Sequence, residues 1–135
     1  MMGHFPMLII MFISGILSSM SIWSDKLSDM AISLNDIYMS LLMCGWMLFF
    51  MGIYEKESKT IMIGIISVII IFLMIRTQLF ITPKQYLISM IPHHSMAVLM
   101  SKKLLEKGNL GSELNILAKN IIESQEREIE FMKNL

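Results

Sequence analysis

Cysteine, proline and charge are what this chain has least of: one Cys, three Pro and 16% charged residues in 135. A single thiol, Cys44, excludes an intrachain disulfide and a thiol-only metal knuckle, and it leaves the redox compartment open. Eleven Lys and Arg balance eleven Asp and Glu, so net charge points to no polyanionic partner. With no basic stripe and no interleaving of aromatic and basic residues, nucleic-acid binding has nothing to rest on. No phosphate-cradling loop and no nucleophile–base pair is present, so ATP-driven pumping and hydrolysis lack support. The scarcity of charge also argues against a soluble domain, whose surface needs more of it.

What is present is apolar. Hydrophobic residues make up 55% of the chain, and the charges are confined to a few places. None occurs from Phe5 to Trp23, from Ile37 to Tyr54, or from Thr60 to Ile75. A membrane span needs roughly 20 apolar residues, with about 17 as a lower limit. The spacing therefore predicts spans over about 5–23, 37–54 and 60–81. The third takes in Arg76, which near a span's end can snorkel to the interface or pair with Asp25, Asp29 or Asp36. Trp23, Tyr38, Tyr54 and Phe80 stand where an interfacial aromatic belt would be. The first run lacks a basic n-region and a small-residue cleavage site, and reads as a retained span rather than a signal peptide. Lys56 and Lys59 against Lys26 favour the Glu55–Lys59 loop as cytoplasmic, which puts the C-terminal domain on the opposite side of an inner or plasma membrane. In a bacterium that side is the periplasm.

The domain division follows: residues 1–81 form the transmembrane region and residues 82–135 an extramembrane domain. Thr82-Pro83-Lys84-Gln85 reads as a helix start, with Thr82 as cap and Pro83 in the first turn. That helix runs to about Lys107, where Gly108 stops it. Ser112 can cap a second helix reaching the C-terminus. Its seam reads Leu114, Ala118, Ile121, Gln125, Glu128, Met132 and Leu135, apolar but for Gln125 and Glu128. The first helix offers a stripe of Tyr86, Met90, His93 or His94, Ala97, Met100 and Leu104. The expected fold is all-α: three transmembrane helices, then an antiparallel hairpin. With the turn centred between Asn109 and Leu110, His94 lies level with Gln125, His93 with Glu126, and Met90 near Glu128 and Ile129.

Two adjacent histidines thus meet the polar interruption of the other helix. Imidazole, carboxylate and thioether together suit a transition metal: His takes Cu, Zn or Fe, and Met favours Cu(I). Gln125 or Glu128 could orient a ligating ring, and Pro92 cannot donate to Ile88, which predicts a bend there. The other reading is that one ring is buried and bonded, the second is exposed, and Gln125 and Glu128 only fix register. Met39, Met43, Met47 and Met51 recur every four residues in the second span, with Met7 and Met11 in the first and Cys44 nearby. A Cu(I) path through the membrane and an adaptable packing face both have that spacing, and packing is the commoner cause. His4 stands alone near the N-terminus, where an interfacial place is expected. The acidic run Glu123 to Glu130 reads as a solvated face apart from Glu128.

Met90-Ile91-Pro92-His93-His94-Ser95, followed by Ala97 and Met100, resembles the signature of domain-of-unknown-function family 305. So does Ile121-Ile122, Gln125, Glu128-Ile129 and Met132. A membrane-bound subgroup is similar upstream, at Trp23-Ser24-Asp25, Tyr38-Met39, Met43, Met47, Gly52, Tyr54 and Arg76-Thr77-Gln78. Ser95-Met96 and Leu135 depart from the family's commoner residues. The resemblance implies a ferritin-like helical fold, of which a hairpin is half a bundle, and extracytoplasmic copper binding in some members. It implies copper handling, with His93, His94 and nearby methionines as candidate ligands; with Gln125 and Glu128 from the seam, the expected metal site is His93, His94, Met90, Met100, Gln125, Glu128 and Met132, with other transition metals open. Two helices do not enclose a site, so self-association is expected, most simply as a dimer. The function expected is metal homeostasis or tolerance, with no catalytic residue. The alternatives are an assembly subunit whose hairpin docks a membrane protein partner and, less favoured, a ferritin-like metal oxidase, which would use more carboxylates than this seam offers.

Overall fold

The structure, a computed structural model, describes residues 4–135. Five α-helices follow one another: α1 (His4–Leu17), α2 (Leu34–Glu55), α3 (Ser58–Thr77), α4 (Pro83–Lys107) and α5 (Ser112–Lys133). Two short 3₁₀ turns, Met20–Trp23 and Leu27–Asp29, lie between α1 and α2. The described residues form two compact units: those up to 19 with 33–82, and residues 20–32 with 83–135.

In the first unit, α2 packs on both α1 and α3. Ser33 and Asp36 form a capping box at the start of α2: Asp36 Oδ2 accepts from the Ser33 amide at 2.8 Å, and Ser33 Oγ accepts from the Asp36 amide at 3.4 Å. Asp36 is thereby committed to the cap rather than to Arg76. Lys56 in the left-handed region ends α2. Glycines let the backbones close up. A Cβ on Gly64 would lie 2.5 Å from the Phe49 amide nitrogen, and one on Gly52 would lie 2.6 Å from that of Ile61.

Three segments are long and apolar enough to cross a membrane: Phe5–Trp23, Leu34–Glu55 and Ser58–Thr77. The first has the bounds expected from the sequence, and the second and third differ from expectation at their ends. The third stops at Thr77 instead of 81, because Gln78 turns left-handed and the Leu79 amide reaches back to the Met74 carbonyl at 3.1 Å. The first is broken: its α-helix ends at Leu17, and Met20–Trp23 belongs to the other unit. Tyr38 is no belt residue. It is buried and donates to the Leu79 carbonyl at 2.6 Å. The side chain of His4 lies outside the described residues.

The methionines of α2 do not form an enclosed ladder. Met39 and Met43 are exposed while Met47 and Met51 are half-buried. Cys44 is buried, with its thiol toward the Leu8 carbonyl at 3.6 Å.

In the second unit α4 and α5 pack on each other, and α4 also packs against both 3₁₀ turns. Gly108 and Asn109, both left-handed, end α4. Gly111 rather than Ser112 occupies the N-cap of α5, with no side-chain cap. The buried and half-buried positions redraw the contact faces. On α4 they include Leu87, Ile91, His94, Val98, Ser101 and Leu105; on α5 they include Ala118, Ile122, Gln125, Ile129 and Met132. Leu114, Glu128 and Leu135, expected in the seam, are exposed, as are Tyr86 and Met100. Ala118, Ile121, Gln125 and Met132 of the expected α5 seam are buried or half-buried, and on α4 the buried Ser95, Val98 and Ser101 lie beside the expected stripe, whose Met90, Ala97 and Leu104 are half-buried.

Candidate functional site

The site builds from the middle of α4. The helix continues through Pro92, although the proline leaves the Ile88 carbonyl without its amide partner. His93 is exposed and His94 half-buried, with ring centroids 6.2 Å apart and planes tilted by 60°. His94 Nδ1 stands 3.0 Å from Glu128 Oε2. The carboxylate is near enough to attract the ring but lies off the hydrogen-bonding direction, so that buried nitrogen has no hydrogen-bond partner. Gln125 Nε2 is 3.5 Å from the same carboxylate oxygen, a contact at the outer limit of a hydrogen bond.

The register differs from the expected one. His94 meets Glu128, with Gln125 beside that carboxylate, and Glu126 bonds Lys102 at 2.9 Å instead of lying level with His93. Helical side chains lean toward their own N-terminus. In a reversed pair the side chains of α4 lean away from the connecting turn and those of α5 lean toward it, so contacting residues carry higher numbers than Cα positions alone suggest.

His94, Gln125 and Glu128 are therefore brought together. Met90 and Met132 are half-buried on their helices, whereas His93 and Met100 face outward. Among the described residues, no three of His, Cys, Asp and Glu are grouped closely enough to hold a metal ion.

Sequence reasoning missed a polar network beside the histidines. Ser95, 0% exposed, donates to Asp29 Oδ2 at 2.7 Å and accepts from the Asp25 amide at 2.9 Å. Asp29, 3% exposed, also receives Lys133. Asp25 Oδ2 receives Lys102 at 2.8 Å, and Lys102 continues to Glu126. Asp25 and Asp29, considered as partners of Arg76, serve instead to strap residues 20–32 onto α4 and α5. Burial pushes the Asp29 carboxyl up, but hydrogen bonds from Lys133 and Ser95 outweigh it and hold the group below its ordinary value. Hydrogen bonds to Asp25 and Glu126 raise Lys102. A pocket of about 30 Å³, water-sized, lies among Asp25, Asp29, Ser95, Val98, Glu126 and Ile129. The signal for this network was available: Ser95 and Lys102, like Glu126 and Lys133, are spaced seven apart and share a face.

Paired helices with histidines at a polar centre define a class of small helical domain, and two comparisons give its kin. Residues 81–135 match the family model described as Domain of unknown function (DUF305). Over 134 residues the chain is 44% identical to "Uncharacterized protein L153" of Acanthamoeba polyphaga mimivirus, covering 96% of this chain and 88% of that protein. The chain belongs to the DUF305 family. No solved structure matches it.

Proposed function

We propose that the protein is a membrane-anchored binder of a transition metal, copper first, acting in homeostasis or tolerance rather than catalysis. The observation that carries this is His94: a buried ring nitrogen with no hydrogen bond, 3.0 Å from a carboxylate that Gln125 also approaches. A ring so placed has Glu128 to orient it and its other nitrogen for a metal. Met90 and Met132 lie on the same two helices, and His93 and Met100 sit one step outward. These donors suit copper, because thioethers favour Cu(I) and imidazole takes copper among other transition metals. One chain supplies an incomplete set, so the reading includes an oligomer in which two antiparallel hairpins complete a ferritin-like four-helix bundle. The three apolar segments are the bilayer anchor, since their exposed Ile, Phe and Trp side chains are what lipid would cover. The C-terminal pair then lies on the extracytoplasmic side, opposite Lys56 and Lys59.

The test is Cu(I) titration and metal analysis of the detergent-purified chain beside a His93→Ala/His94→Ala variant. Near-stoichiometric copper in the parent and none in the folded variant supports the reading. Equal binding by both moves the site to the methionines of α2, and no tight binding of any transition metal refutes it. The second reading, a docking or assembly subunit, is favoured by the exposed apolar residues of α5, such as Leu117 and Phe131.

A further inference from the structure

Residues 20–32 are polar within and apolar without. Ser21 and Asp29 are buried, and Asp25 is half-buried. Ser21 Oγ accepts from the Ala31 amide at 2.8 Å, while the Asp29 and Asp25 carboxylates accept from Ser95 and Lys102. Every large apolar side chain of the segment is exposed instead: Met20, Ile22, Trp23, Leu27, Met30 and Ile32, with Leu27 at 85%. Single exposed apolar residues need no explanation, but a whole segment of them marks a contact surface.

We propose that this surface binds the bilayer at headgroup depth, so that residues 20–32 lie in the membrane plane rather than complete the first span. The inference rests on the membrane reading and goes beyond it. Chain connectivity names the occupant. Only residues 24–33 join the first apolar segment to the second, so both ends of the surface enter segments which that reading places in the bilayer. The depth follows from the backbone. The segment holds two 3₁₀ turns, with Lys26 and Met30 extended on either side of the second, and irregular backbone facing lipid is not tolerated in the hydrocarbon. Packing of Met20–Trp23 against α4 and the Asp29–Ser95 hydrogen bond keep it from rewinding into a longer α1. At the interface Trp23 sets an amphipathic ring between water and acyl chains, and the exposed Lys26 can turn its ammonium to a lipid phosphate. The segment that grips lipid outwardly holds α4 and α5 inwardly through Asp25 and Asp29, which docks the helix pair on the membrane surface.

The experiment reads tryptophan quenching in phosphatidylcholine vesicles that hold the full chain, with bromines either near the headgroup or near the acyl-chain ends. The chain has two tryptophans. Trp46→Phe leaves Trp23 as a native reporter. Trp23→Phe/Trp46→Phe/Leu27→Trp places the sole indole at mid-segment, where exposure leaves room for it. Trp23→Phe keeps Trp46, near the middle of α2, as the control for the span. Both segment reporters should lose at least about half of their emission to the shallow bromines, less to the deep ones and little to aqueous iodide. Trp46 should respond most to the deep bromines. A Leu27→Trp reporter quenched by iodide and by neither lipid overturns the proposal. So does one shielded from all three quenchers, which is covered by protein, or one quenched best by the deep bromines, which spans. If Trp46 responds to bromine and the Leu27→Trp reporter does not, this inference alone fails; if Trp46 also escapes both lipids, the membrane reading fails with it.

Discussion

Asp29→Ala should release residues 20–32 from the helix pair, by an amount the contacts fix. The substitution removes a charged hydrogen bond from the buried Ser95 hydroxyl at 2.7 Å, and such bonds are worth about 1.5–3 kcal/mol. It also removes the Lys133 ion pair. Lys133 is partly exposed and can return to water, so that loss is at most about 1 kcal/mol. The sum is roughly 2–4 kcal/mol against local opening. At about 1.4 kcal/mol per tenfold, amide exchange in residues 20–32 and around Ser95 should accelerate by about 30-fold to several hundred-fold. Ser95→Ala should reproduce most of this, and Lys133→Ala, which leaves the buried Asp29 carboxylate without its cation, should accelerate exchange at least as much as Asp29→Ala. Hydrogen exchange read by mass spectrometry on the detergent-solubilised chain measures all three. The reasoning fails if Asp29→Ala and Ser95→Ala change exchange less than about threefold, or if Lys133→Ala changes it less than Asp29→Ala does.

Acid should act on the same contact. The folded pKa of Asp29 is lowered from an unfolded value of about 3.9, so its contribution is complete above that value and is lost as pH falls through the folded one. Protection of residues 20–32, corrected for intrinsic rates, should hold from about pH 5 to 7 and fall below about pH 4, and Asp29→Asn should flatten that profile. In the other unit, Gly64→Ala puts a methyl 2.5 Å from the Phe49 backbone, which cannot yield as a side-chain tip can. A loss of about 1–3 kcal/mol and a lower thermal midpoint in detergent are expected, against little change for the exposed Met62→Leu.

Element identity was legible because it rests on local chemistry. Pro83 and Gly108 punctuate α4 in the structure as in the sequence, since fixed φ at one end and left-handed backbone at the other act within a turn. The apolar runs needed only counting. Their ends were less legible. Gln78 is neither glycine nor proline, yet it turns left-handed and donates through Nε2 to the Ile75 carbonyl at 2.8 Å, which gave no warning that α3 ends at Thr77.

The candidate site was half legible, for a geometric reason. A helix with apolar residues at 86, 90, 97 and 100 and again at 87, 91 and 98, and a histidine in each row at 93 and 94, has two adjacent stripes, and periodicity cannot rank them. What ranks them is the third body. Residues 20–32 need a polar, hydrogen-bonding side, which Ser95, Lys102, Glu126 and Lys133 provide. Burying Asp29 there is tolerable only with partners such as Ser95 and Lys133 in place. That requirement turns the pair so that Val98 and Ile129 close inward and His93 and Met100 are left outside. A short acidic segment between two apolar runs, easily dismissed as a loop, therefore decides which histidine is half-buried beside a carboxylate and which stands free for a partner.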